Sequence, residues 1–190
     1  MIPVRRIAIP LVFLMLAGTI LPHASNAATA AVTAQKKTPK RMILYAPTAY
    51  DRVVILVHKG KEYKYYLFSK ATPVRLEIQG PTTLSVHVRL LYDLTMKGAQ
   101  NFTVTVEEDG MLGRRSEVAS SSFTAQKSPV STIKGKTKAV PSKAESFKLD
   151  VPGGIHRYTI NLRASAAPSA VIRIQIPKRD VQPAPKEKQP

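Results

Sequence analysis

The sequence predicts an all-β protein: a single antiparallel β-sandwich of about nine strands, of the immunoglobulin-like or jelly-roll-like kind. Three observations predict this fold class. Apolar residues recur with a period of two along most of the chain, which is the pattern of half-buried strands. No stretch between residues 41 and 177 shows the 3.6-residue period of an amphipathic helix. Turn-forming residues separate the alternating stretches at hairpin spacing. The alternative architecture is the same set of strands closed into one cylindrical sheet.

The first 27 residues have the layout of a secretory signal peptide. Two arginines precede an apolar run over residues 7–21, and the small residues Ser25 and Ala27 follow it. The run is about 15 residues long, whereas a membrane span needs roughly 20. We therefore expect a signal-peptide helix rather than a membrane anchor, cleavage near Ala27, and a periplasmic or secreted protein. Residues 28–40 have no periodicity, which predicts a flexible lead into the folded domain.

The folded domain is predicted to span residues 41–177, and its strands are short. The alternating stretches are 52–58, 62–68, 73–79, 83–92, 101–108, 114–124, 146–151, 156–162 and 170–177. Two of the connections between them, K-G-K after residue 58 and D-G at 109–110, are predicted to be hairpin turns.

The stretch F-K-L-D-V-P-G-G-I-H-R-Y-T-I-N-L at 147–162 contains paired glycines and a histidine. A phosphate-binding glycine loop needs a helix after it, but here the strand pattern resumes at His156. Pro152 suits the first central position of a turn, and the glycine after it suits the position with positive φ. The stretch therefore predicts a third hairpin, with His156 on the same face as Tyr158.

Two segments lack the strand pattern. Residues 125–143 contain five lysines and no acidic residue, which predicts a long, exposed basic loop. Residues 178–190 are rich in proline and lysine, which predicts a disordered tail.

The sequence offers little for catalysis or for binding a metal or cofactor. It has no cysteine, which excludes disulfides and thiol chemistry. Its histidines occur in no serine-nucleophile or zinc motif. The acidic run at 107–110 could hold calcium only weakly because the ligand spacing is missing, and the glycosylation tripeptide at 101–103 is short enough to arise by chance. We therefore predict a protein that is not an enzyme and that uses no metal and no cofactor.

Positive charge is the strongest remaining feature. The chain has a formal net charge of +17 at pH 7, and such a surplus favours anionic partners, although it can also serve solubility alone. No motif for sequence-specific nucleic-acid recognition accompanies it. The candidate binding residues are the arginines predicted on the solvent faces of strands and three lysines of the basic loop: Arg75, Arg89, Arg157, Arg163, Arg173, Lys134, Lys136 and Lys138.

Aromatic residues suggest an alternative. Tyr63 and Tyr65 share one face of their predicted strand, where they could form a small patch that stacks on sugars, although tyrosine is also common as an ordinary strand residue. The sequence thus predicts an exported, non-enzymatic binding or structural protein of the bacterial cell envelope, with an anionic envelope component or polysaccharide as partner. The alternatives are a carbohydrate-binding module and an accessory subunit that docks on a protein partner through its sheet edges.

Overall fold

The computed structural model describes residues 41–110, 113–135 and 138–178. Regular structure within these ranges is antiparallel β-strand throughout, so the all-β prediction is confirmed. In this part of the chain no helix has the length and apolar character needed to cross a membrane. The predicted signal peptide, the 28–40 lead and the tail beyond residue 178 lie outside the described residues.

Ten strands form the described structure. They are β1 (Met42–Tyr45), β2 (Val53–His58), β3 (Lys61–Ser69), β4 (Val74–Tyr92), β5 (Gln100–Asp109), β6 (Arg115–Ala125), β7 (Ser131–Ile133), β8 (Val140–Pro141), β9 (Glu145–Arg163) and β10 (Ser169–Pro177). Hydrogen bonds connect them in the order β6-β5-β9-β4-β10-β3-β2-β7, with β1 paired to β10 and β8 paired to β4. The path ends at β6 and β7, so the sheet is open and not closed into a cylinder.

The predicted hairpin at Pro152 is wrong. Residues 145–163 form one 19-residue strand that pairs with the 19-residue β4 along both of its halves. The register shifts between Gly80 and Thr82, opposite the proline and glycines of β9. Proline and glycine in this stretch therefore mark a corner within two long paired strands, because a bulge lets a strand bend without ending.

This corner divides the sheet into two layers. The first layer contains β6, β5, the second half of β9 and the first half of β4; the second layer contains the other halves of β9 and β4 with β10, β3, β2 and β7. The layers face each other: the ring of Phe123 in β6 lies 6.3 Å from the ring of Phe147 in the first half of β9. Tyr45 of β1 also donates a hydrogen bond across to the carbonyl oxygen of Glu77 in the first half of β4. The arrangement is a β-sandwich whose two sheets remain joined through β4 and β9.

In β4 and β5 the period-two pattern correctly predicted which side chains point into the core between the layers. Residues 74, 76 and 78 point inward, as do 84, 86, 88 and 90, and those of β5 at 102, 104 and 106; all are at most 2% exposed. Full burial of these side chains on one face requires a covering layer, and the facing layer of the sandwich provides it. Burial of this kind contributes about 1.5–3 kcal/mol per large apolar side chain.

The prediction of a long exposed loop at 125–143 is wrong. Its described residues contain β7 and β8, and Ser128, Ser131 and Ser142 are buried. The described residues of this segment, 126–135 and 138–143, lie over the outer face of the second layer and are called the cover segment below. Beneath it a second, smaller apolar cluster forms from Val54, Leu56, Tyr65, Leu67, Leu91 and Val171. The outer face of β2 and β3 is apolar here, so it needs a cover. The described lysines of the segment are exposed: Lys127, Lys134, Lys138 and Lys143.

Candidate functional site

The predicted binding residues lie on two opposite surfaces. Arg75, Arg157 and Arg163 are exposed on the outer face of the first layer. Arg89, Arg173, Tyr63 and Tyr65 lie on the outer face of the second layer. Lys134 and Lys138 are exposed on the cover segment, and Lys136 lies outside the described residues. The structure therefore does not bring all of the predicted cations together.

Arg89 is not available to a ligand, contrary to the prediction. It is only 8% exposed, under the cover segment. Its guanidinium donates to the carbonyl oxygen of Ser142 at 2.8 Å and to Ser131 Oγ at 3.1 Å, and its Nε donates to the hydroxyl of Tyr65 at 3.3 Å. A buried cation is tolerated only when its donors are satisfied, and here the cover segment supplies acceptors. Arg89 therefore fixes the cover segment to the sheet.

Tyr65 is also excluded as a stacking residue, because its side chain is 5% exposed and belongs to the cluster beneath the cover segment. Tyr63 is different: it is half-buried at the border of that cluster. The guanidinium of Arg173 lies 5.1 Å from the centre of its ring. Such a cation–π contact holds both side chains in place while leaving the guanidinium edge free to donate.

The cover segment leaves part of the second layer's outer face open. His87 is the direct cross-strand neighbour of Arg173, and Ser85 is the neighbour of Gln175 on one side and of Lys148 on the other. These residues and Tyr63 form the open polar face: Tyr63, Ser85, His87, Lys148, Arg173 and Gln175. It draws on four strands, which span about 14 Å at the usual strand spacing.

The electrostatics of the open polar face favour a neutral imidazole next to a charged guanidinium. Burial lowers the pKa of His87 below its ordinary value of 6.5, and the charges of Arg173 and Arg89 lower it further. A hydrogen bond with Gln175 acts in the opposite direction. At neutral pH, His87 is therefore uncharged and offers one donor and one acceptor.

Sequence reasoning identified Tyr63 and Arg173 but considered His87 only as a catalytic candidate and did not select Ser85 or Gln175. The alternation that placed residues 84, 86 and 88 inward also places 85 and 87 together on the outer face. A search for mixed polar and aromatic residues on that face would have found the row. The alternation pattern does not indicate which part of the face the cover segment leaves open, because this depends on the tertiary fold.

The cations of the first layer are partly neutralised. Arg157 Nε lies 2.8 Å from Glu77 Oε2, and Arg163 Nη2 lies 3.3 Å from Glu107 Oε1. Lys134 is likewise paired, with Glu62 at 2.7 Å. Exposed pairs of this type contribute only about 0–1 kcal/mol each, so they reduce the local positive charge without adding much stability.

The acidic residues of the run at 107–110 are also paired with basic side chains. Each of its carboxylates has a basic partner: Glu107 with Arg163, Glu108 with His156, and Asp109 with Arg115. Over the described ranges, no group of three histidine or acidic side chains converges as a metal site.

His156 belongs to a cluster of structural contacts at the corner of β9. Its Nδ1 lies 2.5 Å from Glu108 Oε1, and its ring stacks on Tyr158 at 6.0 Å. The hydrogen bond to Glu108 raises the pKa of His156 above its ordinary value. Burial, with the charge of Glu108, raises the pKa of Tyr158 to about 12. These groups tie the end of β5 to β9.

One serine–histidine pair resembles part of a catalytic set. His58 Nδ1 lies 2.7 Å from Ser131 Oγ. Ser131, however, is 2% exposed, and its Oγ also meets Ser128 Oγ at 2.9 Å and the guanidinium of Arg89. A nucleophilic serine must reach its substrate, and this hydroxyl is engaged beneath the cover segment. The pair belongs to the network that holds the cover segment.

Comparisons with known proteins give distant structural likenesses. The chain matches no protein-family model and no curated protein sequence. Among solved structures, it is similar to a carbohydrate-binding module of Cellvibrio mixtus lichenase 5A in complex with cellotriose, with 15% identity, a TM-score of 0.34, and coverage of 73% of this chain and 96% of that chain. It is also similar to the carbohydrate-binding and catalytic modules of Clostridium thermocellum xylanase 10B complexed with xylohexaose, with 10% identity, a TM-score of 0.30, and coverage of 71% of this chain and 25% of that chain. At these TM-scores the likenesses establish no shared ligand, so the function has to be argued from the side chains of this chain.

Proposed function

We propose that this protein is an exported, non-catalytic binding domain that holds an acidic polysaccharide on its open polar face. The observation that carries the proposal is the position of Arg173 on an uncovered part of the sheet: its guanidinium lies 5.1 Å from the ring centre of Tyr63, and His87 is its direct cross-strand neighbour. The guanidinium is the anchor for an acidic group, and the neighbouring side chains serve the sugar hydroxyls.

The chemistry of the face matches such a ligand. A guanidinium presents paired N–H donors that fit the two oxygens of a carboxylate or sulfate. Gln175 and a neutral His87 can each donate and accept a hydrogen bond, as sugar hydroxyls require. Lys148 adds a second positive charge across from Ser85, and the half-buried ring of Tyr63 offers apolar surface for stacking.

Rigidity supports the proposal as well. Five of the six side chains lie on β3, β4 and β10, each of which is hydrogen-bonded to a neighbouring strand on both sides. Lys148 lies on β9, in the part that pairs with β4. Groups held in place before binding lose less conformational entropy when the ligand arrives. The contacts of Arg173 with Tyr63, and of His87 with Gln175, fix the side chains in addition to the backbone.

The test is calorimetric binding of the mature protein to polygalacturonate and to a neutral soluble β-glucan. We expect binding to polygalacturonate that weakens between low and moderate salt. Arg173→Gln should weaken it at least tenfold, which is about 1.4 kcal/mol. Lys97→Gln is the matched control, because it removes one positive charge from an exposed loop between β4 and β5 and should change affinity less than twofold.

The possible results separate the parts of the proposal. Equal affinity of wild type and Arg173→Gln for polygalacturonate would contradict the assigned site. Binding of the neutral glucan that depends on Tyr63 but not on salt would retain a carbohydrate-binding role and reject the acidic ligand. Failure to bind either polymer would overturn the proposed function.

A further inference from the structure

Three side chains on the outer face of the first layer bury a polar atom that has no hydrogen-bond partner among the described residues. These atoms are Thr105 Oγ1, Thr159 Oγ1 and Asn161 Nδ2. Thr105 is only 6% exposed and Thr159 only 1%. Thr105 and Asn161 are direct cross-strand neighbours, and Thr159 lies two residues before Asn161 on the same face of β9. Such orphaned groups are rare in native proteins, and several in one patch need a specific explanation.

A cation borders the same patch. Arg75 lies on β4, is exposed, and is the direct cross-strand neighbour of Thr159 on β9. Within the described ranges its guanidinium has no carboxylate at ion-pair distance, in contrast to those of Arg157 and Arg163 on the same face. The four residues Arg75, Thr105, Thr159 and Asn161 are called the donor patch below.

All four side chains of the donor patch can offer hydrogen-bond donors: two hydroxyls, one amide N–H₂ group and one guanidinium. Its partner should therefore be rich in acceptors and negatively charged. The nearby acidic groups do not serve this purpose, because Glu77 and Glu107 already pair with Arg157 and Arg163.

We propose that the donor patch is a binding site for an oxyanion, such as a sulfate, phosphate or carboxylate group. The anion accepts hydrogen bonds from Thr159, Asn161 and Thr105 and is neutralised by Arg75. Entry requires the exposed side chains around the patch to move. The ion pairs of Arg157 and Arg163 are surface pairs on side chains 66% and 59% exposed, and such pairs are weak enough to rearrange.

This site is separate from the open polar face, because the two lie on the outer faces of opposite layers. It does not rest on the proposed polysaccharide function. The test therefore uses inorganic anions, added as sodium sulfate, phosphate or acetate to the mature protein at constant ionic strength with chloride as the reference. Chemical shifts of the Asn161 side-chain N–H₂ and the Arg75 Nε–H group are followed by NMR.

We expect saturable shifts of both groups with at least one of the three anions, and the anion that saturates first identifies the preferred group. Arg75→Gln should weaken this binding at least tenfold. Arg173→Gln, on the opposite layer, should leave it unchanged and serves as the control. Shifts that only rise linearly with anion concentration, or that are the same in Arg75→Gln, would overturn the site.

Thr159→Val provides a second readout that does not depend on a bound anion. Valine has nearly the shape of threonine but no hydroxyl, so it removes the unpartnered group. We expect this variant to bind the anion more weakly and to melt at the same or a higher temperature than wild type in chloride alone. A lower melting temperature would mean that the hydroxyl already has a partner in the folded protein, and the proposal would then be wrong.

Discussion

Gly80 and Pro152 approach each other more closely at the corner of the sheet than any side chain on Gly80 would permit. A Cβ built on Gly80 would lie 1.6 Å from the carbonyl oxygen of Pro152. The obstacle is backbone, which cannot rotate away as a side chain can. The corner therefore requires a glycine at position 80 for steric reasons.

Gly80→Ala should destabilise the protein strongly. Because the new methyl group would overlap the backbone of β9, β4 and β9 would have to separate at the corner, at a cost of about 3 kcal/mol or more. Urea denaturation monitored by circular dichroism measures this change. Gly153→Ala is the matched control, since no atom lies within 4 Å of the corresponding Cβ position. Equal stability of the two variants would show that the corner is not packed as described.

Arg89→Met should release the cover segment. The substitution leaves the hydroxyl of Tyr65 and the carbonyl oxygen of Ser142 buried without their donor. The expected loss is about 3 kcal/mol in the free energy of unfolding, since hydrogen bonds to charged groups contribute roughly 1.5–3 kcal/mol. Tryptic cleavage at Lys127 and Lys134 should also become faster. Arg157→Met, at an exposed position, should do neither, and protection of the cover segment in Arg89→Met would argue against its role as a clamp.

The pairing of His156 with Glu108 should stabilise the protein most at low pH. Because the folded-state pKa of His156 is raised above its ordinary 6.5, the stabilisation is fully present below pH 6.5 and is lost as the pH rises through the folded-state pKa. The measurement compares wild type with Glu108→Gln between pH 5.5 and 8.5. The difference in unfolding free energy should shrink as the pH rises over this window. A difference that grew with pH would contradict the assigned direction.

His87 should have the opposite pH dependence. Its folded-state pKa lies below 6.5, so the unfolded chain takes up a proton first as the pH falls. Its contribution to stability is therefore present above pH 6.5 and declines as the pH falls from there to the folded-state pKa. NMR titration of the ring should give an apparent pKa below that of His156. His87→Asn should remove this part of the acid sensitivity, and an unaltered pH profile in the variant would count against a half-buried, neutral imidazole.

Much of the fold could be predicted from the sequence because alternation is a local property. Side chains at 84, 86 and 88 point to the same face in any strand, so their burial followed from the pattern. The hairpin after residue 58 was equally local: Lys59 and Gly60 have positive φ and connect β2 to β3, as K-G-K predicted. The error at Pro152 arose because a turn and a corner use the same residues. Only the pairing of β9 with β4 on both sides of the glycines distinguishes them.

The candidate sites depended far more on tertiary structure. The sequence by itself determined the all-β class, the inward faces and the surplus of positive charge, since each follows from composition or from neighbours along the chain. It could not determine which outward residues remain accessible. Arg89 and Arg173 have similar patterns on their strands, yet one is buried beneath the cover segment and the other borders the open polar face. That difference was decided by where the cover segment packs, because burial depends on contacts between segments that are distant in the sequence.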